Sequence, residues 1–459
     1  MLETKDYILL YMLYIVLSII IMIVELYRIK KNKSLTLINF FMFFFLVIYC
    51  IVPMCCLKYI SKGLELRHSD NIFSNEVYIE YIFVVISYIV VNLGYNLIPK
   101  VKENKKIEEK INVDSKYFYI ASVIILLLGW MALLLFTKVY GSIFGIIKYA
   151  SDIRNGIVVI NNPYTFVYPI CQFVLFASYM FLMILLNSKE RKKIFVFNTF
   201  LLLLLSIFGS IVFFVADDGR MKMITYFLVM LFCIYHNRFK KIDVKNLLIL
   251  IMTGLVILTF INKYDELSYY IKNGIYKNSN SNDSGIIATF VREYSYTYTN
   301  GLNIIKRKKS GEKYELRIKE NIKAIVVSFL PKRIKKQLNV TDLGDYNTSF
   351  YTDTRGEIPT DLITASIYTW GYIGIIITPI LMGIAIKLID RVFLRYKELD
   401  GYYRILFYIF AWRETIKYVA YYDLSELIYN MSYIILTYCI VKFIQYTFKK
   451  KTCDEECKN

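Results

Sequence analysis

The chain has 459 residues, of which 57% are hydrophobic, and this proportion is higher than the surface of a water-soluble globular protein carries. Its net charge of +19 would suit a nucleic-acid-binding protein in water. Lysine and arginine, however, gather in short hydrophilic breaks between long apolar runs, where such residues set membrane topology. The composition therefore argues against nucleic acid as a partner and predicts an all-α, polytopic transmembrane helix bundle.

Apolar runs long enough to cross a hydrocarbon core of roughly 30 Å recur along the whole chain. They predict about eleven spans, near residues 7–27, 34–57, 76–98, 117–138, 163–186, 194–215, 223–236, 246–262, 362–387, 404–422 and 427–447. The first run is too long for the core of a signal peptide and precedes a basic cluster, so we expect the protein to retain it. The run 223–236 is short for a span, and its loss would reverse the orientation of every later span.

These spans divide the chain into an N-terminal bundle, a large and partly helical extracytoplasmic loop, C-terminal transmembrane helices and a cytoplasmic tail, at residues 1–262, 263–361, 362–448 and 449–459. If the spans alternate, the basic breaks share one face, at residues 28–33, 100–116, 189–193, 238–245, 391–404 and 449–451. The positive-inside rule makes that face cytoplasmic. We therefore predict that the amino terminus lies outside and the carboxyl terminus in the cytoplasm.

A polar corner separates the sixth and seventh predicted spans on the outer face. It reads Asp217-Asp218-Gly219-Arg220. Gly219 permits a tight turn, and Arg220 can present its planar guanidinium to a phosphate group. The alternative is an ordinary turn whose arginine snorkels to lipid headgroups, and the sequence leaves both interpretations open.

Three ionisable residues, Arg413, Glu414 and Lys417, lie inside the tenth predicted span. Charged side chains at this depth are costly in lipid, so they must face protein or a water-filled cavity. Helical spacing places the two cations on one face and lets the carboxylate reach the lysine. The surplus positive charge favours an anionic ligand, whereas the alternative is an internal ion pair that fixes the register of the helix.

The long loop mixes arginine with tyrosine, which suits a phosphoglycan because aromatic faces stack on sugars and arginine binds phosphate in a bidentate manner. Arg292 is one of its basic residues, and the tract just before the next span is dense in charge. That tract contains Tyr351, Asp353, Arg355, Glu357 and Asp361. For any single residue, the alternative is an interfacial belt of tyrosine and basic side chains that touches anionic headgroups.

Several kinds of chemistry lack the residues that they need. The chain has only 2 histidines, His68 and His236. This argues against a zinc site and against a Ser/His/Asp hydrolase, because both depend on histidine. No GxxxxGK[ST] or GxGxxG motif follows a strand pattern, which argues against a nucleotide motor and a Rossmann domain. We expect no metal and no cofactor, and any enzyme activity would depend on arginines and carboxylates.

Local patterns accompany this layout of spans. They are an outer amphipathic segment from Tyr140-Gly141 to Asn162-Pro163, the Gly219-Arg220 corner, the passage from Arg355-Gly356 to Gly383, and Trp412-Arg413-Glu414 in a late span. Together with the topology of the whole chain, they resemble the O-antigen and capsule repeat-unit polymerases of the Wzy family. The long loop contains no histidine, so a histidine base of the kind discussed for the related O-antigen ligases has no counterpart in it.

The resemblance implies a metal-independent glycosyltransferase of the bacterial inner membrane. Such an enzyme transfers a growing glycan from undecaprenyl pyrophosphate to a fresh lipid-linked repeat unit on the outer leaflet, beside the flippase and chain-length regulator of the pathway. Preplaced arginines would stabilise the charge that grows on the leaving pyrophosphate. The implied catalytic residues are Arg220, Arg355 and Arg413, with Asp353, Glu357 or Asp361 as the base, and the substrate-binding residues are Arg292, Asp217, Asp218, Tyr351, Glu414 and Lys417.

Two other functions fit the same cations. A lipid-linked oligosaccharide flippase or exporter would use them to line a passage, and an O-antigen ligase would join the glycan to lipid A core. Internal repeats and short outer loops would favour the exporter, and neither is evident in the sequence. The ligase shares the layout of the polymerase, so the sequence leaves that alternative open.

Overall fold

The computed structural model describes residues 4–32, 35–61, 76–99, 116–143, 145–146, 149, 162–187, 192–216, 220–238, 286–311, 316–328, 330, 334, 337–351, 358–395 and 401–456. Within these residues the fold is all-α and contains no strand. The expectation of an all-helical fold is therefore confirmed for the described part of the chain.

The described helices follow in chain order. They are α1 Thr4–Asn32, α2 Leu37–Leu46, α3 Val52–Ser61, α4 Glu76–Leu97, α5 Lys116–Thr137, α6 Tyr168–Cys171, α7 Phe173–Asn187, α8 Lys193–Ala216, α9 Arg220–Arg238, α10 Ile286–Lys309, α11 Ile318–Val326, α12 Leu343–Thr348, α13 Leu362–Trp370, α14 Gly374–Arg395, α15 Gly401–Tyr408, α16 Thr415–Ala420 and α17 Leu424–Glu456. The 3₁₀ turns are Lys138–Tyr140, Thr165–Val167 and Gly371–Ile373, and the π-helical segments are Val47–Ile51 and Ile409–Glu414. Because each π-helical segment continues directly into an α-helix, it widens a longer helix locally.

Eight stretches of the described chain are helical, long and apolar enough to cross a membrane. They are Ile8–Asn32, Leu37–Ile60, Glu76–Leu97, Lys116–Tyr140, Thr165–Asn187, Lys193–Phe214, Leu362–Phe393 and Met431–Phe448. The predicted count of about eleven is not confirmed. Lys222–Tyr235 is a shorter apolar helix, the predicted span 246–262 lies outside the described residues, and the predicted span 404–422 is divided into α15, a π-helical segment and α16.

Helix ends that border basic breaks meet at one end of the bundle. Arg28, near the end of α1, donates a hydrogen bond to Asn92, near the end of α4. The backbone N–H of Leu37, at the start of α2, donates to Asp390 Oδ1 over 2.7 Å, and Tyr95 donates to Asp390 Oδ2 over 2.9 Å. These contacts agree with the alternation of basic breaks, while the assignment of this end to the cytoplasm stays a prediction.

Helices α4 and α14 pack in backbone contact through two glycines. A Cβ atom at Gly94 would lie 2.3 Å from the carbonyl oxygen of Ile380, and one at Gly383 would lie 2.2 Å from that of Val91. Small residues at such positions let membrane helices approach closely. This contact fixes α14, and with it the helix α13 that precedes it.

The apolar run 362–393, which contains the predicted span 362–387, bends sharply near Gly371. Gly371 has a φ of 71°, a conformation that favours glycine. A Cβ atom at Gly374 would lie 2.0 Å from the carbonyl oxygen of Ser366, although residues eight apart in a straight helix are separated by roughly 12 Å. Helix α13 therefore packs back against the start of α14.

Helix α10 belongs to the segment that we predicted to be a large, partly helical extracytoplasmic loop. Its residues Tyr296, Thr299 and Asn300 are buried, and Tyr296 Oη donates a hydrogen bond to the carbonyl oxygen of Ala420 over 2.6 Å. The helix is polar on its buried face because that face meets hydrogen-bonding groups of other helices. The helical character of this segment was thus predictable, whereas its burial was not.

Two hydrophobic cores meet at one late segment. The first joins α1 to α4 with α10, α13 and α14, and the second joins α5 to α9 with α15 and α17. Phe393, Phe407, Phe410 and Trp412 pack against both cores. The π-helical segment that carries Arg413 therefore lies at the junction of the two halves.

Candidate functional site

The three charged residues predicted inside a span are buried together at this junction. Arg413 is 3% exposed and Glu414 0% exposed, and both end the π-helical segment Ile409–Glu414. Lys417 follows on α16 and is also buried. π-Helical turns occur frequently at functional sites because they shift side chains away from ordinary helical positions.

Arg413 is held by side chains from two other helical stretches. Its Nη1 donates to Tyr433 Oη over 3.2 Å, and its Nη2 donates to the side-chain oxygen of Gln172. The guanidinium also lies 5.0 Å from the centre of the Tyr433 ring, within range of a cation–π contact. These neighbours fix the orientation of the charge before any ligand arrives.

Glu414 lies between two cations. Lys417 Nζ is 3.2 Å from Glu414 Oε2, and Arg413 Nε is 3.9 Å from Glu414 Oε1. One carboxylate therefore balances two cations, and a single positive charge is in excess among these three side chains. The ion pair predicted as the alternative interpretation is therefore present, and its carboxylate is shared between the lysine and the arginine.

The first turn of α9 lies beside this group. Lys222 Nζ donates to Tyr168 Oη over 3.5 Å, and Tyr168 is close enough to Arg413 to interact with it electrostatically. Arg220 begins the same helix, but only its backbone is described. We name Arg413, Glu414, Lys417, Gln172 and Tyr433 the cation cluster.

Asp361, predicted as a candidate base, is fully buried and caps α13. Its Oδ1 accepts hydrogen bonds from the backbone N–H groups of Ile363 and Thr364 over 3.0 and 3.2 Å and from Tyr49 Oη over 2.8 Å. Its Oδ2 accepts from the hydroxyl of Thr364. This is the arrangement of an N-cap residue, and it engages both carboxylate oxygens.

Glu80 lies beside Asp361 and was missed in the sequence. It is 1% exposed, its Oε2 accepts a hydrogen bond from Tyr14 Oη over 2.7 Å, and the two carboxyl groups interact electrostatically. A carboxylate four residues into the apolar run 76–98 was the signal that could have found it. We name Asp361, Glu80, Tyr49 and Tyr14 the carboxylate cluster.

The carboxylate cluster lies at membrane depth and close to the cation cluster. Tyr49 stands halfway along the span Leu37–Ile60, and its hydroxyl contacts the carbonyl oxygen of Val419 over 3.3 Å. Val419 follows Arg413 by six residues, which is roughly 9 Å along a helix. The carboxylate cluster thus contacts the same helical segment that carries Arg413, at a point six residues further along.

Tyr351 ties the predicted loop to α10. Its hydroxyl donates to Asn300 Oδ1 over 2.8 Å and accepts from Asn303 Nδ2 over 3.1 Å. The guanidinium of Arg307 lies 5.4 Å from the centre of its ring. Burial raises the pKa of the Tyr351 phenol above its usual range, so this hydroxyl is a neutral hydrogen-bonding group at pH 7.

The other predicted site residues are described partly or not at all. Asp217, Asp218, Asp353, Arg355 and Glu357 lie outside the described residues. The backbone of Arg292 lies in α10, but its side chain is not described. The structure therefore brings together Arg413, Glu414 and Lys417, and it places Asp361 in the adjacent cluster.

These features define a class of protein: a multi-pass α-helical membrane protein with buried ionisable side chains between two helical cores. No family model, no curated protein and no solved structure matches this chain. Its own residues therefore carry the functional argument.

Proposed function

We propose that this protein is a metal-independent polymerase of the bacterial inner membrane. In this proposal it joins undecaprenyl-pyrophosphate-linked oligosaccharide repeat units on the outer leaflet into O-antigen or capsular polysaccharide. The observation that carries the proposal is the cation cluster, in which Tyr433 and Gln172 orient a buried arginine whose Nε has no hydrogen-bond acceptor among the described residues. A buried cation of this kind needs an anion, and the lipid carrier presents one at the membrane.

The reaction requires stabilisation of a leaving pyrophosphate. The acceptor hydroxyl oxygen forms a bond to the anomeric carbon of the donor, and the bond from that carbon to the pyrophosphate oxygen breaks. Negative charge grows on the pyrophosphate as it leaves, so a cation that is already oriented stabilises the transition state more than the ground state. In the proposal Arg413 does this, together with Arg220 and Arg355, and Lys417 adds positive charge.

The proton of the acceptor hydroxyl needs a base. The carboxylate of Asp361 accepts four hydrogen bonds, three at Oδ1 and one at Oδ2, so the proposal gives this residue a structural role. Asp353 and Glu357 are then the candidate bases in the preceding tract. Arg292, Asp217, Asp218, Tyr351 and Glu414 would contact the glycan or orient the cations.

The test is a polymerisation assay with purified protein in liposomes and a lipid-linked repeat unit as the sole substrate. The proposal predicts a ladder of glycan lengths on a gel, and a chelator leaves it unchanged because no metal takes part. Movement of the substrate across the bilayer without a ladder would instead indicate a flippase. Transfer only in the presence of lipid A core would indicate a ligase.

A further inference from the structure

We propose that Tyr179 and Arg413 form an oxyanion-binding site inside the bundle, whose ligand is a phosphate or pyrophosphate group. In the sequence, Tyr179 is an ordinary tyrosine of an apolar run. The identity of the anion as the carrier pyrophosphate depends on the function proposed above, whereas the existence of the site does not.

Tyr179 has a buried hydroxyl that lacks an acceptor. The residue lies on α7 and is 0% exposed, and its Oη has no hydrogen-bond partner among the described residues. The ring of Tyr226 packs against it at 5.3 Å, but the Tyr226 hydroxyl already donates to Ser178 Oγ over 2.8 Å. A buried hydroxyl without a partner is rare in folded proteins and calls for an explanation.

A second donor without an acceptor lies close by. Arg413 Nε is buried and makes no hydrogen bond within the described chain, and the guanidinium interacts electrostatically with Tyr179. Gln172, which holds Nη2 of Arg413, directly precedes α7, and Phe176 on α7 packs its ring 6.3 Å from that of Tyr433, which holds Nη1. Two donors that both lack an acceptor therefore lie in the same part of the bundle.

The missing group is an acceptor with negative charge. A water molecule could accept from both donors, but it would bring no negative charge to the buried guanidinium of Arg413, whose Nε lies 3.9 Å from Glu414 Oε1. A phosphate oxygen accepts hydrogen bonds and supplies the opposite charge, and arginine and tyrosine hydroxyls are common donors to such groups. Glu414 cannot fill this role alone, because Lys417 already engages its carboxylate at 3.2 Å.

The arrangement is also oriented in advance. Arg413 donates through Nη1 to Tyr433 and through Nη2 to Gln172, so its guanidinium plane is fixed, and its Nε has no acceptor among the described residues. Gln172 and Tyr433 are thus positioning residues, while Tyr179 and Arg413 provide the contacts. A site of this kind loses little entropy when the anion binds.

The test measures binding of inorganic pyrophosphate to the full-length protein in nanodiscs made of a zwitterionic lipid. Isothermal titration is run on wild type, Tyr179→Phe, Arg413→Lys and the control Tyr402→Phe, which changes another fully buried tyrosine. Wild type and the control should bind, whereas Tyr179→Phe should bind about tenfold more weakly because a hydrogen bond to a charged group is lost. The thermal midpoint of Tyr179→Phe without ligand should match or exceed that of wild type, since the change removes a buried hydroxyl without a partner.

Two results would overturn the site: no pyrophosphate binding by wild type, which would leave water as the occupant, or equal binding by Tyr179→Phe. Competition by the lipid-linked repeat unit would identify the carrier as the natural source of the anion, and competition by phosphatidylglycerol would identify a headgroup. Both competitions support an oxyanion site. Pyrophosphate binding without a ladder in the liposome assay would support the oxyanion site and contradict the polymerase function. A ladder without pyrophosphate binding would support the polymerase function and overturn the site.

Discussion

The carboxylate cluster and the cation cluster lie on neighbouring parts of the bundle and differ in how their polar atoms are satisfied. Both oxygens of Asp361 accept hydrogen bonds from the protein. In the cation cluster, Arg413 Nε makes no hydrogen bond within the described residues, and it shares the Glu414 carboxylate with Lys417. The pattern at Asp361 is typical of a group that stabilises the fold, and the pattern at Arg413 is typical of a group that binds a ligand.

This difference changes the roles that the sequence suggested. Both Asp361 and Arg413 are ionisable groups near or within a predicted span, and position alone made both candidates for catalysis. Their partners separate them, because a saturated carboxylate that caps a helix has little capacity left to accept a proton. Membrane depth identifies a residue of interest, and hydrogen-bond saturation then indicates whether its role is structural or functional.

The largest expected effect comes from Arg413→Lys. Lysine keeps the charge but loses the planar fork that holds Gln172 and Tyr433, so the leaving pyrophosphate would lose a preorganised donor. We expect polymer yield per membrane-inserted protein to fall on the order of 10²-fold, or about 2.7 kcal/mol in transition-state stabilisation. Arg391→Lys is the control, because Arg391 donates to the carbonyl oxygen of Pro99 at the helix ends that border basic breaks, and it should be nearly silent. Degradation of the Arg413→Lys protein would instead mark a structural pair with Glu414.

The next effect, on stability, comes from Asp361→Ala. Alanine removes the N-cap of α13 and leaves Tyr49 without its carboxylate acceptor, so we expect the free energy of unfolding to fall by on the order of 2 kcal/mol. The thermal midpoint of purified protein in detergent measures this loss. An alanine variant as stable as wild type would remove the structural interpretation of the carboxylate cluster.

A smaller loss is expected for Tyr49→Phe. Asp361 Oδ1 keeps its two backbone donors when the Tyr49 hydroxyl is removed, and the cost should be about 1 kcal/mol, the worth of one ordinary hydrogen bond. The same thermal measurement checks it. A loss larger than that of Asp361→Ala would show that Tyr49 acts through contacts other than this carboxylate.

The smallest effect is expected for Glu80→Gln. The glutamine side chain can still accept the hydrogen bond from Tyr14, and it is close in shape to glutamate, so stability should change by less than the roughly 1 kcal/mol that one hydrogen bond is worth. Activity per folded protein should be normal as well. A large loss of activity with an unchanged thermal midpoint would move Glu80 from the structural group to the functional one.

Much of the fold was readable in the sequence because membrane spans leave long apolar runs. The bend at Gly371 and the break of the predicted span 404–422 were not, since each depends on how neighbouring helices pack. Asp361 could have been recognised as an N-cap, because it directly precedes an apolar helix. The partners of the two carboxylates could not be predicted, because they are far away in the chain. Tyr14 lies 66 residues from Glu80, and Tyr49 lies 312 residues from Asp361.

The sequence predicted only the charged members of the cation cluster. Arg413, Glu414 and Lys417 stand out as charges in an apolar run, whereas Gln172, Tyr179 and Tyr433 look like ordinary residues of other spans. Only the packing of α7 and α17 against the π-helical segment brings them together. A glutamine in an apolar run was the one sequence signal, and it is weak.

The most direct test of the central claim compares Asp361→Asn with Arg413→Lys in one liposome assay, as ladder intensity divided by the amount of folded protein. Asparagine can cap a helix but cannot act as a base, so we expect Asp361→Asn to retain activity within a few-fold of wild type. Arg413→Lys should retain roughly 1%. The reverse result, with a silent Arg413→Lys and an inactive but folded Asp361→Asn, would contradict the assignment of function to the cation cluster and structure to the carboxylate cluster.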